Sequence, residues 1–201
     1  MRNSSITTDT RERILDSARR LLERYGYRKM TVDDIAHEAG IGKGTIYLFF
    51  PSKEEIALSC MDRSYECLKM ELARLASSDL PSPERVRQFL ILRVMYRFDT
   101  VQNFSESLDE VFAALRTSFL KRRDGYQHCE AVILAEILSD GQNAGEFDFD
   151  DGFETAQSLL VATNSLMPYS LSVQQLGDRE KVEARVRHIV DLALNGLIRR
   201  R

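Results

Sequence analysis

Lys43, Thr45, Tyr47 and Leu48 fall within six consecutive residues, and the apolar pattern around them turns all four outward from one short helix. Together they offer an ammonium, a hydroxyl, a phenol and an aliphatic group, with no acidic residue anywhere from Ala39 to Lys53. Ammonium, hydroxyl and phenol groups donate to phosphate oxygens, and an exposed aliphatic group can meet a thymine methyl. Such a set suits contact with the grooves and backbone of DNA rather than proton transfer.

The elements around these residues are short and sharply punctuated. Thr31 is a good N-cap, with Asp34 at the third helical position to complete a capping box. Val32, Ile35, Ala36 and Ala39 mark one apolar helical face, and Gly40 supplies the left-handed conformation that ends the helix. Ile41 points inward across the turn, and a second helix runs from about Gly42 to Phe50, with Ile46, Phe49 and Phe50 packing back. A third opens at Ser52-Lys53-Glu54-Glu55, again a capping-box pattern. A small residue at Ala36, a glycine in the turn and an apolar residue after it are what two closely crossing helices of a helix-turn-helix require.

From about Arg11 to Arg63 the chain resembles the DNA-binding domain of the TetR family of bacterial transcriptional regulators, and Gly42 to Ile56, GKGTIYLFFPSKEEI, carries most of the match. The resemblance implies an all-α dimer: an N-terminal three-helix head that binds DNA, here residues 1–52, and a larger effector-binding and dimerisation domain, residues 53–201. It also implies site residues. Tyr47 falls where a hydroxyl meets a phosphate and Lys53 where a lysine meets the backbone. Thr31 either caps its helix alone or also touches phosphate. Gly44 permits close approach to the groove, and Lys43 and Thr45 face base edges or phosphates. The chain departs from the family pattern at Leu48 and Phe49, where many relatives carry Tyr or His. Leu48 then meets a thymine methyl or packs against sugar.

Composition agrees with this plan. The 201 residues hold enough apolar material (43 %) for one large or two small domains, and no apolar run approaches the ~20 residues that span a bilayer. The polar N-terminus lacks a signal-peptide core, so a cytoplasmic protein without membrane partners is expected. Net charge is −3, yet residues 1–60 carry ten Lys/Arg against nine Asp/Glu. Charge at the contact face, not the global sum, sets DNA affinity. Cys60, Cys67 and Cys129 show no metal-ligand spacing; Cys60 and Cys67, a heptad apart, are read as core residues rather than redox sensors.

Beyond the head the periodicity remains helical. Ile14, Leu15, Ala18, Leu21, Leu22 and Tyr25 form one face of a first helix beginning near Asp9 and stopping at Gly26. Later helices are expected over about 53–77, 83–98, 105–143 with an interruption near Asp124-Gly125, 151–171 and 178–198, with 99–104 a connector and Ser82 the N-cap of the second. Phe153, Leu160 and Met167 lie on one apolar stripe and Val186, Ile189, Val190 and Leu197 on another. Either the stripes pair with their symmetry mates as a four-helix bundle or they cover the subunit's own core. Eight of ten phenylalanines lie between Phe89 and Phe153. Tyr96, Phe104, Phe112, Tyr126 and His128 are candidate pocket residues for a hydrophobic or aromatic effector, although aromatics at helical spacing also build cores.

Enzyme-like signals fail on inspection. Gly42-Lys43-Gly44-Thr45 lacks the upstream glycine and following Ser/Thr of a phosphate loop, and it follows no strand. His37, His128 and His188 have no metal-ligand spacing, and no nucleophile elbow is present. The expectation is therefore a non-enzyme without metal or cofactor. It is a dimeric repressor released from a palindromic operator by a small effector that tilts the long helix. An activator, an effector-independent regulator or an enzyme retaining a DNA-binding head are the rival readings.

Overall fold

The computed structural model describes residues 2–102, 108–167 and 177–197. Among them are eight helices and no strand: α1 (Arg2–Lys29), α2 (Val32–Ala39), α3 (Lys43–Phe49), α4 (Lys53–Ala76), α5 (Ser82–Gln102), α6 (Leu108–Asn143), α7 (Gly152–Asn164) and α8 (Arg179–Leu197). The chain divides into two compact units, Met1–Tyr65 with Asn103–Leu120, and Glu66–Gln102 with Lys121–Arg201.

In the first unit Ile14, Leu15, Ala18, Leu21 and Leu22 of α1 are buried, as their spacing requires. Tyr25 is not: it is 47 % exposed, and Tyr27 is buried instead. Gly26, at φ 78° and ψ 168°, breaks the helix where a stop is expected, and Tyr27 lies beyond that kink. α1 also begins well before Asp9. Side chains in the middle of α4 also bind it to α1. Arg63 pairs with Glu12 at 3.1 Å and Asp16 at 2.8 Å. The Cys60 thiol lies 3.6 Å from the Leu15 carbonyl, where burial pushes its pKa up to about 12. Cys67, expected to share that buried face, is exposed.

In the second unit α5 packs against α7 and α8. Val86, Phe89 and Val94 of α5 join Leu134, Ile137 and Leu138 of α6, Leu160 of α7 and Val186 and Val190 of α8 in one core. Several expected boundaries move. α5 continues to Gln102, with the Thr100 hydroxyl donating to the Tyr96 carbonyl at 2.7 Å and Asp99 held by Arg179 at 2.8 Å. α6 shows no break at Asp124-Gly125, because one glycine in a long packed helix costs only about 1 kcal/mol. Its end at Gly145 (φ 72°) is as expected. Ser82 lies inside α5 rather than capping it, since the Pro81 carbonyl accepts from the N–H groups of Glu84 and Arg85. α7 ends at Asn164, capped at its start by Asp151, whose carboxylate accepts from the Glu154 N–H.

A buried charged network crosses the core of the second unit. Arg93 of α5 is fully buried, its Nε 2.6 Å from the carboxylate of Glu130 on α6, which also pairs with Arg97. Its Nη groups donate to Thr163 Oγ1 at 2.9 Å and Asn164 Oδ1 at 2.8 Å, joining α5, α6 and α7 through one guanidinium.

Candidate nucleic-acid interface

The helix pair of α2 and α3 is held by side chains that close its backbone ends. Thr31 and Asp34 form the full capping box: the Asp34 N–H donates to Thr31 Oγ1 at 3.1 Å, and the Thr31 N–H and hydroxyl donate to the Asp34 carboxylate at 3.0 and 2.7 Å. Those bonds hold the Asp34 carboxyl below the usual carboxylate range. They also commit the hydroxyl's single hydrogen, so the cap role of Thr31 is the one on display. Gly40 ends α2 at φ 64°, with its own N–H donating to His37 and that of Ile41 to Ala36, a Schellman closure. Arg13 of α1 then donates to the Ala39 carbonyl at 2.6 Å, and Arg20 pairs with Glu38 at 2.9 Å. Arg11 lies over the buried Phe50 ring, 5.2 Å from its centroid, at the end of α3. None of these three arginines was singled out from sequence, although Arg13 and Arg20, a heptad apart, share one polar side of α1.

On this frame α3 buries Ile46 and Phe50 and turns Lys43, Gly44, Tyr47 and Leu48 to solvent, with Thr45 half-buried. Lys43 is not idle: its ammonium lies 2.8 Å from Asp33 of α2. Both partners are exposed, so the pair holds the lysine only weakly. Lys53 at the start of α4 donates to the Tyr27 carbonyl at 3.1 Å and lies 4.4 Å from that ring's centroid. Its place at a helix N-terminus thus has an internal account, and two donors of the ammonium remain for other acceptors. The Tyr27 phenol donates to Glu54 at 3.0 Å; burial, and then the Glu54 carboxylate, push its pKa up.

Gly44 stands clear of the fold, and a Cβ there would meet nothing within 4 Å. Gly44→Ala should leave the melting temperature unchanged or slightly raised. Its DNA affinity should fall by about the cost of one misread base pair, roughly fivefold to a hundredfold, because the new methyl stands between helix and groove. Fluorescence anisotropy beside a thermal melt checks both halves, and unchanged affinity would show that α3 does not approach DNA on this side.

The other sequence-predicted residues are more dispersed. Tyr96 and Tyr126 are half-buried and His128 is exposed, edge-on to Phe153 with centroids 5.6 Å apart. Phe104 lies outside the described residues, as does the side chain of Phe112. An open groove of about 670 Å³ lies elsewhere in the second unit. Its apolar residues are Leu75, Ile91, Leu92 and Met95, flanked by charged residues of α4, α5 and α8. Of the stripe residues, Leu160, Met167, Val186 and Val190 are buried in the subunit's own core, Phe153 and Ile189 pack against it, and the side chain of Leu197 is outside the described set. Val161 of α7 and Leu192 of α8 instead face solvent, 66 % and 61 % exposed.

A capped helix pair carrying an outward polar and apolar face, in a chain that also holds a second helical unit, defines a helix-turn-helix DNA-binding regulator. Residues 14–60 match the family described as bacterial regulatory proteins, tetR family. The chain is 30 % identical over 142 residues to the HTH-type transcriptional regulator YxaF of Bacillus subtilis, covering 66 % of this chain and 72 % of that one. It is 24 % identical to the HTH-type transcriptional repressor KstR of Mycolicibacterium smegmatis, over 69 % of this chain and 68 % of the relative. In fold it resembles a transcriptional regulator from Cytophaga hutchinsonii, with a TM-score of 0.77 at 22 % identity, covering 94 % of this chain and 98 % of the other. The chain belongs to the TetR family of transcriptional regulators.

Proposed function

We propose that this regulator is a dimeric repressor, not an enzyme, that leaves a palindromic operator when a small hydrophobic or aromatic effector binds. The observation that carries the DNA half is the outward face of α3, Lys43 to Leu48, supported by the capped α2 and the arginines of α1. In this reading Tyr47 and Lys53 meet phosphates while Lys43, Gly44, Thr45 and Leu48 address the groove. Residues 1–52 form the reading head, and residues 53–201 form the effector and dimer domain. The groove floored by Leu75, Ile91, Leu92 and Met95 supports an apolar effector, with Tyr96 close along the same α5. Exposed Val161 and Leu192 on α7 and α8 support a partner subunit meeting those helices, since their inner faces already fill the subunit's own core. Repression is supported by the likeness to a relative named as a repressor. Release requires the effector to bind the open state of the dimer more tightly than the DNA-bound one.

The test is affinity selection of genomic fragments by the purified protein across a salt series. A short palindrome should be enriched upstream of few genes. Tyr47→Phe should weaken binding to selected and random duplex alike with the salt slope unchanged. Lys53→Gln should lower that slope by about 1, the value of one lost phosphate contact. Uniform, strongly salt-dependent binding without an enriched sequence would refute the repressor reading.

A further inference from the structure

We propose that α3 reads its half-site through thymine methyl groups, with Leu48 as the side chain that meets them. The inference rests on α3 being the groove-facing helix and names what it recognises there. Leu48 is 83 % exposed, more than any other large hydrophobic residue in the described chain. One turn earlier on the same face is Gly44, with open space where a side chain would stand, so the backbone of α3 can come close to a base edge. Thr45, three residues before Leu48, adds a second methyl to that surface. Lys43, in its exposed pair with Asp33 on α2 at 2.8 Å, adds a cation at the start of the same helix. Beside its polar groups α3 therefore presents an apolar surface centred on Leu48, and thymine is the base that carries a methyl group in the major groove. The half-site should place an A·T pair under Leu48.

Deoxyuridine tests this directly, because it removes the 5-methyl and keeps every hydrogen-bonding group. With a selected palindrome in hand, each thymine of a half-site is replaced in turn and affinity is measured at fixed salt. One position should cost the wild-type protein about fourfold, and about fifteenfold when both half-sites are replaced, the value of one buried methyl at each. Leu48→Ala, at a site with no packing role, should melt like the wild type. It should bind the thymine duplex correspondingly more weakly and be indifferent to deoxyuridine at that position. Insensitivity of the wild type at every thymine would overturn the proposal. So would a Leu48→Ala protein that keeps the full deoxyuridine penalty, which would assign the methyl to another residue. Failure to bind any unmodified thymine duplex would instead remove the DNA-reading role of α3, an outcome visible before any base is replaced.

Discussion

Replacing Glu130 by alanine should destabilise the protein by about 3–5 kcal/mol, the usual cost of removing one partner from a buried ion pair. The carboxylate has no exposed surface and lies between Arg93, equally buried, and Arg97, 17 % exposed. Without it two guanidinium groups share a low-dielectric site with no counter-charge. In a chain of this size the loss corresponds to a fall in melting temperature of about 6–20 °C. Arg93→Met combined with Glu130→Met should recover most of it. Thr163 keeps its bonds to the carbonyls of Leu159 and Leu160, and Arg97 can turn toward water. A single Glu130→Ala protein that melts within 2 °C of the wild type, taken as roughly 1 kcal/mol at this size, would show that the pair is not buried in solution.

The same carboxylate sets a pH dependence. Burial alone would push Glu130 up, but Arg97 and Arg93 outweigh it and hold it below the usual range. A carboxyl whose folded value is depressed contributes stability that is fully present above its unfolded value, about 4.3, and is lost as pH falls from there through the folded value. The denaturant midpoint should therefore drop on acidification below about pH 4.3, and Glu130→Gln should flatten that part of the profile.

How much of this was legible in the sequence depends on the range of the interaction. The head was readable because its signals are local: Thr31 and Asp34 three residues apart, Gly40 at the turn, Ser52 before α4. The stop at Gly26 was legible, but Tyr25 was misplaced: periodicity does not say that, at the last turn before the kink, the ring stays in solvent while Tyr27 beyond it is buried. The apolar stripes around Leu160 and Val190 were correctly apolar, but periodicity does not say whether a partner or the subunit itself covers them. The Arg93–Glu130 pair left a trace that went unread: an arginine inside FLILRVMYRF and a glutamate inside CEAVILAEIL, opposite charges interrupting two otherwise apolar faces. Their pairing spans 37 residues and is a tertiary fact. The candidate pocket is the least local of these readings: Tyr96, Tyr126 and His128 lie on two different helices, and spacing along one helix does not say which residues of another complete a cavity.

Two glycines on α6 should respond oppositely to the same substitution. At Gly141 a Cβ would run into Cδ2 of Phe147 and lie 2.5 Å from its Cε2 and 2.8 Å from Cβ of Ser82. Neither neighbour can yield cheaply. Phe147 is a buried ring, and Ser82 is fixed through its N–H to Glu146 at 3.2 Å and through its hydroxyl, which accepts from Arg85 at 2.9 Å. Arg85 in turn ties the end of α4, through the Ala76 carbonyl, to Asp140 on α6. Glycine is needed there for space, because its backbone φ is not positive. Gly141→Ala should cost about 1–3 kcal/mol or more by overpacking, and Phe147→Leu in the same protein should return part of it. At Gly125 a Cβ meets nothing within 4 Å and the backbone is helical, so Gly125→Ala should stabilise by about 0.5–1 kcal/mol. Urea titrations of the two variants beside the wild type decide the matter. Midpoints that move in the same direction would mean that α6 is not the continuous, closely packed helix on which the second unit is built.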